Sequence, residues 1–169
     1  FRPIIVLFKR IFLPKEQYKF HLPKTKLEKL IWLFLHKSSF MVSPGYKDIK
    51  QLVLEKKIEA YIISGRYDSL KNDFNKWIKK INAKNYFKDC LYNVNDEQPH
   101  LFKEKIIRQL KLDIFVEDNW DIVNHLAKKT AAKIFWIYNL LDINIKYKYK
   151  FQSLKEALIK VKKHLSFQT

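Results

Sequence analysis

Ala60-Tyr61-Ile62-Ile63-Ser64-Gly65 is the stretch that decides the fold: a short apolar run, rich in β-branched residues, that ends at a glycine. Such a run is too short for a helix and predicts a buried β-strand. Similar runs recur at residues 90–92, 113–116 and 133–137. Because helical patterns alternate with these runs, the sequence predicts an α/β fold: a three-layer, Rossmann-like parallel sheet flanked by helices, with a small helical N-terminal cap region.

The segments between these runs carry apolar residues at helical spacing. They predict helices over residues 1–12, 24–36, 43–57, 68–81, 101–110 and 121–128, and a last helix that begins at Ser153. For residues 1–12 a helix that packs on the core is favoured over one that lies on a membrane surface. The alternation of Lys and Tyr over residues 146–150 favours an exposed edge strand over a platform for single-stranded nucleic acid.

Length and composition set the broad class of the protein. A chain of 169 residues, 47% of them hydrophobic, is long enough for one domain with a substantial core. We expect a single domain over residues 1–169, with a small helical cap at residues 13–42 and a sheet-bearing core at residues 43–169. The sole cysteine is Cys90, which excludes an internal disulfide and favours a reducing, cytoplasmic location. No apolar stretch approaches the roughly 20 residues of a membrane span.

The net charge of +17 would attract phosphates, nucleic acid or anionic membranes. The lysines are scattered along almost every segment, whereas a dedicated nucleic-acid surface shows them clustered. Nucleic acid therefore stays open as a partner, but it is weakly supported. The five histidines show no metal-ligand spacing, and His100 is interpreted as a surface-loop residue.

Polar side chains follow two of the predicted strands. Ser64 ends the first strand, and Glu117 and Asp118 end the third. Because ligands collect at the carboxyl ends of parallel strands, we expect these side chains to face one crevice. Lys103, on the helix between them, can point into that crevice. A hydroxyl, an ammonium and paired carboxylates suit a phosphate with a magnesium ion.

The order and spacing of these residues resemble the haloacid dehalogenase-like hydrolase superfamily. Ile62-Ile63-Ser64-Gly65-Arg66 resembles the second motif of that family, and the helix that carries Lys103 resembles the third. The stretch from Asp113 to Asp121 resembles the fourth, acidic motif. The resemblance covers residues 43–128. Lys105 could also be the lysine of the third motif. Lys103 is preferred because the number of residues between it and Glu117 matches the usual interval in the family.

The resemblance implies a role for each matched residue. Ser64 and Lys103 would be catalytic residues that hold the phosphoryl group, with Gly65 and Arg66 beside the substrate. Mg²⁺ would be bound directly by Asp118, with Glu117 and Asp121 as its partners. The implied substrate is a small phosphorylated molecule.

The first motif of the family, Asp-x-Asp after a hydrophobic strand, is missing. The first acidic residue is Glu16 and the first aspartate is Asp48. Without that nucleophile no aspartyl-phosphate intermediate forms. Either the chain is truncated just after this motif, as a start at Phe1 instead of Met suggests, or it is a non-catalytic relative. The first case predicts a magnesium-dependent phosphomonoester hydrolase, and the second predicts a phosphate- or anion-binding module.

Overall fold

The computed structural model describes residues 20–37 and 42–165. The helix predicted over residues 1–12 lies outside them. The helices and strands are, in chain order, α1 (Lys26–Lys37), α2 (Tyr46–Leu54), β1 (Tyr61–Tyr67), α3 (Lys71–Lys80), β2 (Asp89–Asn93), α4 (Pro99–Gln109), β3 (Ile114–Glu117), α5 (Trp120–Lys129), β4 (Lys133–Ile137), β5 (Lys150–Phe151) and α6 (Leu154–Leu165). The four predicted strands and the six predicted helices from residue 24 onward are thus confirmed, with shifted ends.

The strands pair in parallel, but the described residues form two sheets instead of the predicted one. One sheet consists of β1 and β2, and the other follows the order β3, β4, β5. The α/β class and the parallel pairing are therefore confirmed. The sheet is divided because no strand within residues 20–37 and 42–165 lies between β1 and β3.

The second sheet is covered by helices on both faces. Ile134 and Trp136 of β4 belong to a buried cluster with residues of α4 and α5. Phe135, between them in the sequence, belongs to a cluster on the opposite face with residues of α2 and α6. Burial on both faces explains why residues 133–137 form a continuous apolar run in place of an alternating one.

The two sheets share the same helix layers. Ile63 of β1 packs against the cluster that contains Phe115 of β3. On the other face, Ile49 of α2 packs against the cluster of the second sheet and against the cluster formed by α3 and the first sheet. Helices α2 and α4 thus contact both sheets, and the single three-layer arrangement stays a prediction.

Two local predictions need correction. The helix predicted over residues 68–81 begins later than expected, because residues 68–70 form a short 3₁₀ turn and α3 begins after it without a side-chain cap. Within residues 146–150 only Lys150 joins a strand. The Tyr147 hydroxyl donates to the Ile134 carbonyl at 2.9 Å, and the tyrosine rings of this segment pack against the core. The alternation thus reflects half-buried tyrosines that pack on the core, between the exposed side chains of Lys146 and Lys148.

Only part of the predicted cap region is described. The helix α1 is confirmed, and its position over the crevice stays a prediction. Before it, the Phe20 N–H donates to Gln98 Oε1 at 2.7 Å, and Gln98 Nε2 donates to the Phe20 carbonyl at 3.2 Å. These bonds hold residue 20 at the start of α4. Among the described helices, none has the length and apolar character needed to cross a membrane.

Candidate functional site

The facing edges of β1 and β3 border a cavity of about 1470 Å³. Its lining includes residues 61–63 of β1 and residues 114–118, which are β3 and the residue after it. We call the space between these two edges the inter-sheet gap. Hydrogen bonds among the described residues do not join the two edges, because β1 pairs with β2 and β3 pairs with β4. The gap runs along both strands and ends at the side chains predicted to form the site.

Gly65 brings α4 against the end of β1. A Cβ atom added at Gly65 would lie 2.9 Å from the Cβ of Pro99 and 3.5 Å from Cε of Lys103. The first contact is closer than carbon atoms tolerate, so the close approach requires a glycine. Because Gly65 has no side chain, Lys103 can pass beside the carboxyl end of β1.

Lys103 and Glu117 form a buried ion pair at the end of the inter-sheet gap. The two residues are 8% and 6% exposed, and Lys103 Nζ donates to Glu117 Oε2. Glu117 Oε1 accepts the Asn119 N–H at 3.0 Å, and the Phe115 ring lies 5.9 Å from the ammonium. Buried charges persist only when they are paired and hydrogen-bonded, and both conditions hold here. Lys103 thus ties the carboxyl end of β1 to that of β3.

Ser64 is half-buried at the point where the pairing of β1 with β2 becomes irregular. Its Oγ accepts the Arg66 N–H at 3.3 Å, and the register shifts between Ser64 and Tyr67. A hydroxyl that accepts one bond still carries a proton to donate. Ser64 therefore keeps a donor for a ligand near Gly65.

Arg66 points to a different part of the molecule. Its Nη1 lies 3.3 Å from Asp73 Oδ2, and its guanidinium lies over the Trp77 ring at 5.9 Å. Burial lowers the pKa of Arg66, and the nearby Asp73 opposes that shift. The structure therefore holds this side chain against α3, and its predicted contact with a substrate stays a prediction.

The predicted magnesium ligands do not converge. Asp121 is exposed in the first turn of α5, where its N–H donates to the capping side chain of Asn119 at 3.0 Å. Glu117 is engaged by Lys103, and Asp118 lines the cavity. Within the described part of the chain, no three His, Cys, Asp or Glu side chains gather as a metal site. Among the described residues the predicted ligands are thus not gathered around one point, and the magnesium site stays a prediction.

A second polar cluster, between α4 and α5, escaped the sequence analysis. His125 Nε2 lies 2.7 Å from Glu104 Oε2, and the rings of His100 and His125 are 4.6 Å apart. His100 is 7% exposed, so its interpretation as a surface-loop residue is wrong. Burial, and then His125, lower the pKa of His100, while Glu104 opposes them. The spacing of four between His100 and Glu104 was the available signal, since it puts both on one helix face.

Comparisons with protein-family models, with curated proteins and with solved structures find no match to this chain. The resemblance to haloacid dehalogenase-like hydrolases therefore stays a prediction from the residues quoted from the sequence.

Proposed function

We propose that the crevice at the carboxyl ends of β1 and β3 binds a phosphoryl group or a comparable small anion, without hydrolysing it. One observation carries the proposal. Lys103, a buried lysine, lies beside Gly65 at the end of β1 and bonds to Glu117 at the end of β3. The proposed ligand is a small phosphorylated molecule.

The donors at this place suit an anion. A lysine ammonium has three N–H donors, and the bond to Glu117 uses one of them. Ser64 adds its hydroxyl proton on the same strand end. Hydrogen bonds from a charged donor to a phosphate are about twice as strong as those between neutral groups, and low solvent exposure strengthens them.

Hydrolysis through an aspartyl-phosphate needs a carboxylate nucleophile, and the acids nearby are committed elsewhere. Glu117 is bonded to Lys103 and to the Asn119 N–H. Asp48, the first aspartate of the sequence, lies in α2 and bonds Lys162 Nζ at 2.8 Å. The proposal is therefore a binding module of the haloacid dehalogenase type, whose two sheets belong to one three-layer, Rossmann-like fold.

Calorimetric titration with inorganic phosphate, at low and at moderate ionic strength, tests this proposal. The variant pairs Lys103→Met with Glu117→Gln, so that no buried charge is left alone. Lys105→Met with Glu97→Gln is the matched control, since it removes the same two charges from an exposed lysine two residues further along α4 and from its partner. We expect the variant of the crevice pair to lose at least about tenfold in affinity, from the loss of one charged hydrogen bond.

Ser64→Ala should weaken phosphate binding by a smaller factor, because it removes a neutral donor. Equal affinities in the two double variants would show that the pair in the crevice does not hold the phosphate, and would refute the crevice as the binding site. Absence of any measurable phosphate binding by the wild-type chain would refute it as well.

A magnesium-dependent phosphomonoester hydrolase is the second candidate, favoured by the position of Asp118 at the end of the cavity. Its aspartate nucleophile would have to come from polypeptide outside this sequence, and Asp118 would contribute to holding Mg²⁺. Magnesium-dependent phosphate release from a panel of phosphomonoesters, abolished by Asp118→Asn, would establish this candidate. No release from any ester would reject it for this chain.

A further inference from the structure

The connection between β4 and β5 exposes large apolar side chains. Leu140 is 81% exposed, Ile143 is 53% exposed, and Leu141 between them is exposed as well. Most of the Leu140 side chain thus stands clear of the protein, where it adds nothing to the core. We call residues 139–145 the apolar loop. Exposed apolar side chains that lie together are typical of a contact surface.

Polar side chains hold the apolar loop in its conformation. Asn139 Oδ1 accepts the Leu141 N–H at 2.8 Å, and Asn139 Nδ2 donates to the Asp142 carboxylate. From β5, the Lys150 ammonium donates to the backbone carbonyls of residues 142, 143 and 145. The loop is therefore held from inside by hydrogen bonds, while its apolar side chains remain at the surface.

These hydrogen bonds bear on the medium that the loop can enter. A segment that enters a lipid bilayer loses its hydrogen bonds to water, and each backbone group left unpaired there is costly. In the apolar loop, the N–H groups of Asp142 and Ile145 donate to loop carbonyls at 3.0 and 3.1 Å. Lys150 satisfies three further carbonyl contacts. The loop can therefore leave water at a low cost in hydrogen bonds.

The charges around the apolar loop favour an anionic surface. Residues 138–150, all of which the structure describes, contain three lysines and one acid, Asp142. Asp142 is buried and bonded to Asn139, whereas Lys146 and Lys148 are exposed. The net charge of +17 adds a long-range attraction to anionic lipid. An anionic bilayer therefore complements both the apolar side chains and the lysines of this segment.

We infer that the apolar loop docks this protein on the surface of an anionic lipid bilayer. Leu140 and Ile143 enter the boundary between headgroups and acyl chains, and the exposed lysines after them contact the lipid headgroups. The loop follows β4, whose Trp136 pairs with Glu117 of β3, so it leaves the sheet at the edge where the crevice lies. Docking requires no phosphate in the crevice, and the two sites are tested separately.

Co-sedimentation of the full chain with lipid vesicles tests this docking. The vesicles contain phosphatidylcholine with about one-third phosphatidylserine, or phosphatidylcholine alone, at moderate ionic strength. We expect wild-type protein to prefer the anionic vesicles. Leu140→Ser with Ile143→Ser should weaken this binding at least about tenfold, because two apolar side chains no longer enter the bilayer. Leu54→Ser with Ile159→Ser, at similarly exposed sites of α2 and α6, is the matched control and should bind like wild type.

Four results would overturn the docking. Equal binding by the two double variants would mean that net charge alone holds the protein on the vesicles. Absence of wild-type binding to anionic vesicles, or equal binding to both kinds of vesicle, would also exclude an anionic bilayer as the partner. Self-association of the wild-type chain without lipid, abolished by Leu140→Ser with Ile143→Ser, would mean that a second copy covers the loop.

A fluorescent label gives an independent readout in case the loop variant does not fold. Cys90 is the sole cysteine, so Cys90→Ser with Leu140→Cys offers one thiol to a dye that senses polarity, and Cys90→Ser with Leu54→Cys is its control. On anionic vesicles the dye at residue 140 should shift its emission to the blue and be quenched by nitroxides on the acyl chains. The dye at residue 54 should not respond. An unshifted dye at residue 140 would overturn the docking.

Discussion

Strands β1 and β4 have the same kind of sequence but different burial. In β4, Ile134, Phe135 and Trp136 are each at most 2% exposed. In β1, Ile62 and Ile63 remain half-buried. Both strands have helices over them, and the difference lies in their edges: β4 lies between β3 and β5, whereas β1 has a described partner only on the side of β2.

The comparison shows that an apolar run predicts a strand but not how well the strand is covered. Burial of a parallel strand requires neighbours on both edges as well as helices on both faces. The half-burial of β1 therefore follows from the inter-sheet gap beside it. The predictions below test this relation in order of decreasing effect.

The largest effect is expected for Lys103→Met, which cuts the link between the ends of β1 and β3. The change leaves Glu117 buried without its counter-ion, which costs about 3–5 kcal/mol of unfolding free energy. Urea unfolding measures the loss. Adding Glu117→Gln to the variant should restore most of the stability, and Lys105→Met should leave it nearly unchanged. A single variant as stable as the double one would contradict the buried pair.

Matched isoleucine truncations compare the two sheets directly. Ile134→Ala should cost about 2–5 kcal/mol, the usual range for a fully buried site. Ile63→Ala should cost less than about 2 kcal/mol, because Ile63 is half-buried among the described residues, and a cost equal to that of Ile134→Ala would contradict this difference.

Lys150 provides a test at the far edge of the second sheet. Its ammonium donates to the carbonyl of Asp142 at 3.1 Å, to that of Ile145 at 2.9 Å, and to that of Ile143. Lys150→Met leaves these carbonyls without that donor and should cost about 1–3 kcal/mol. Lys148→Met, at an exposed site two residues earlier, should have little effect. Equal stability of the two variants in chemical unfolding would contradict this role.

The smallest effect concerns pH and the cluster between α4 and α5. Because the pKa of His100 is lowered in the folded protein, the unfolded chain binds the proton more readily. The stability that comes from neutral His100 is therefore complete above the ordinary histidine pKa and is lost as pH falls below it. Glu104 and His125 lie beside this ring.

We therefore expect wild-type protein to lose more stability between pH 7.5 and pH 5.5 than His100→Asn does. Urea unfolding at the two pH values measures both losses. Equal losses in the two proteins would show that His100 does not contribute to the pH dependence.

The elements of the fold were predictable because each is encoded locally. The apolar runs at residues 60–64 and 133–137 became β1 and β4, and helical spacing predicted α4 and α6. The division of the sheet was not predictable, because pairing depends on contacts between distant segments, which no local pattern reports. The packing of Tyr147 and Tyr149 against the core was not predictable from the sequence for the same reason.

Part of the candidate site was predictable from the order of the strands. Ser64, Lys103 and Glu117 were expected at one sheet edge, and the structure brings Lys103 to the ends of both strands. The contact of Arg66 with Asp73 was not predictable, because the sequence does not show which way the helix face that carries Asp73 is turned. His100 was predicted in a loop because it follows a proline. Pro99 is instead the first residue of α4, so His100 lies in the helix.

The most direct test of the proposed crevice is the NMR signal of the Lys103 ammonium during a titration with inorganic phosphate. An ammonium that is buried and bonded to Glu117 exchanges its protons slowly enough to be followed. The account predicts that this signal shifts and saturates as phosphate binds, while the backbone amides around Lys105 stay in place. A Lys103 signal that does not move, while phosphate perturbs lysines spread over the surface, would contradict the account.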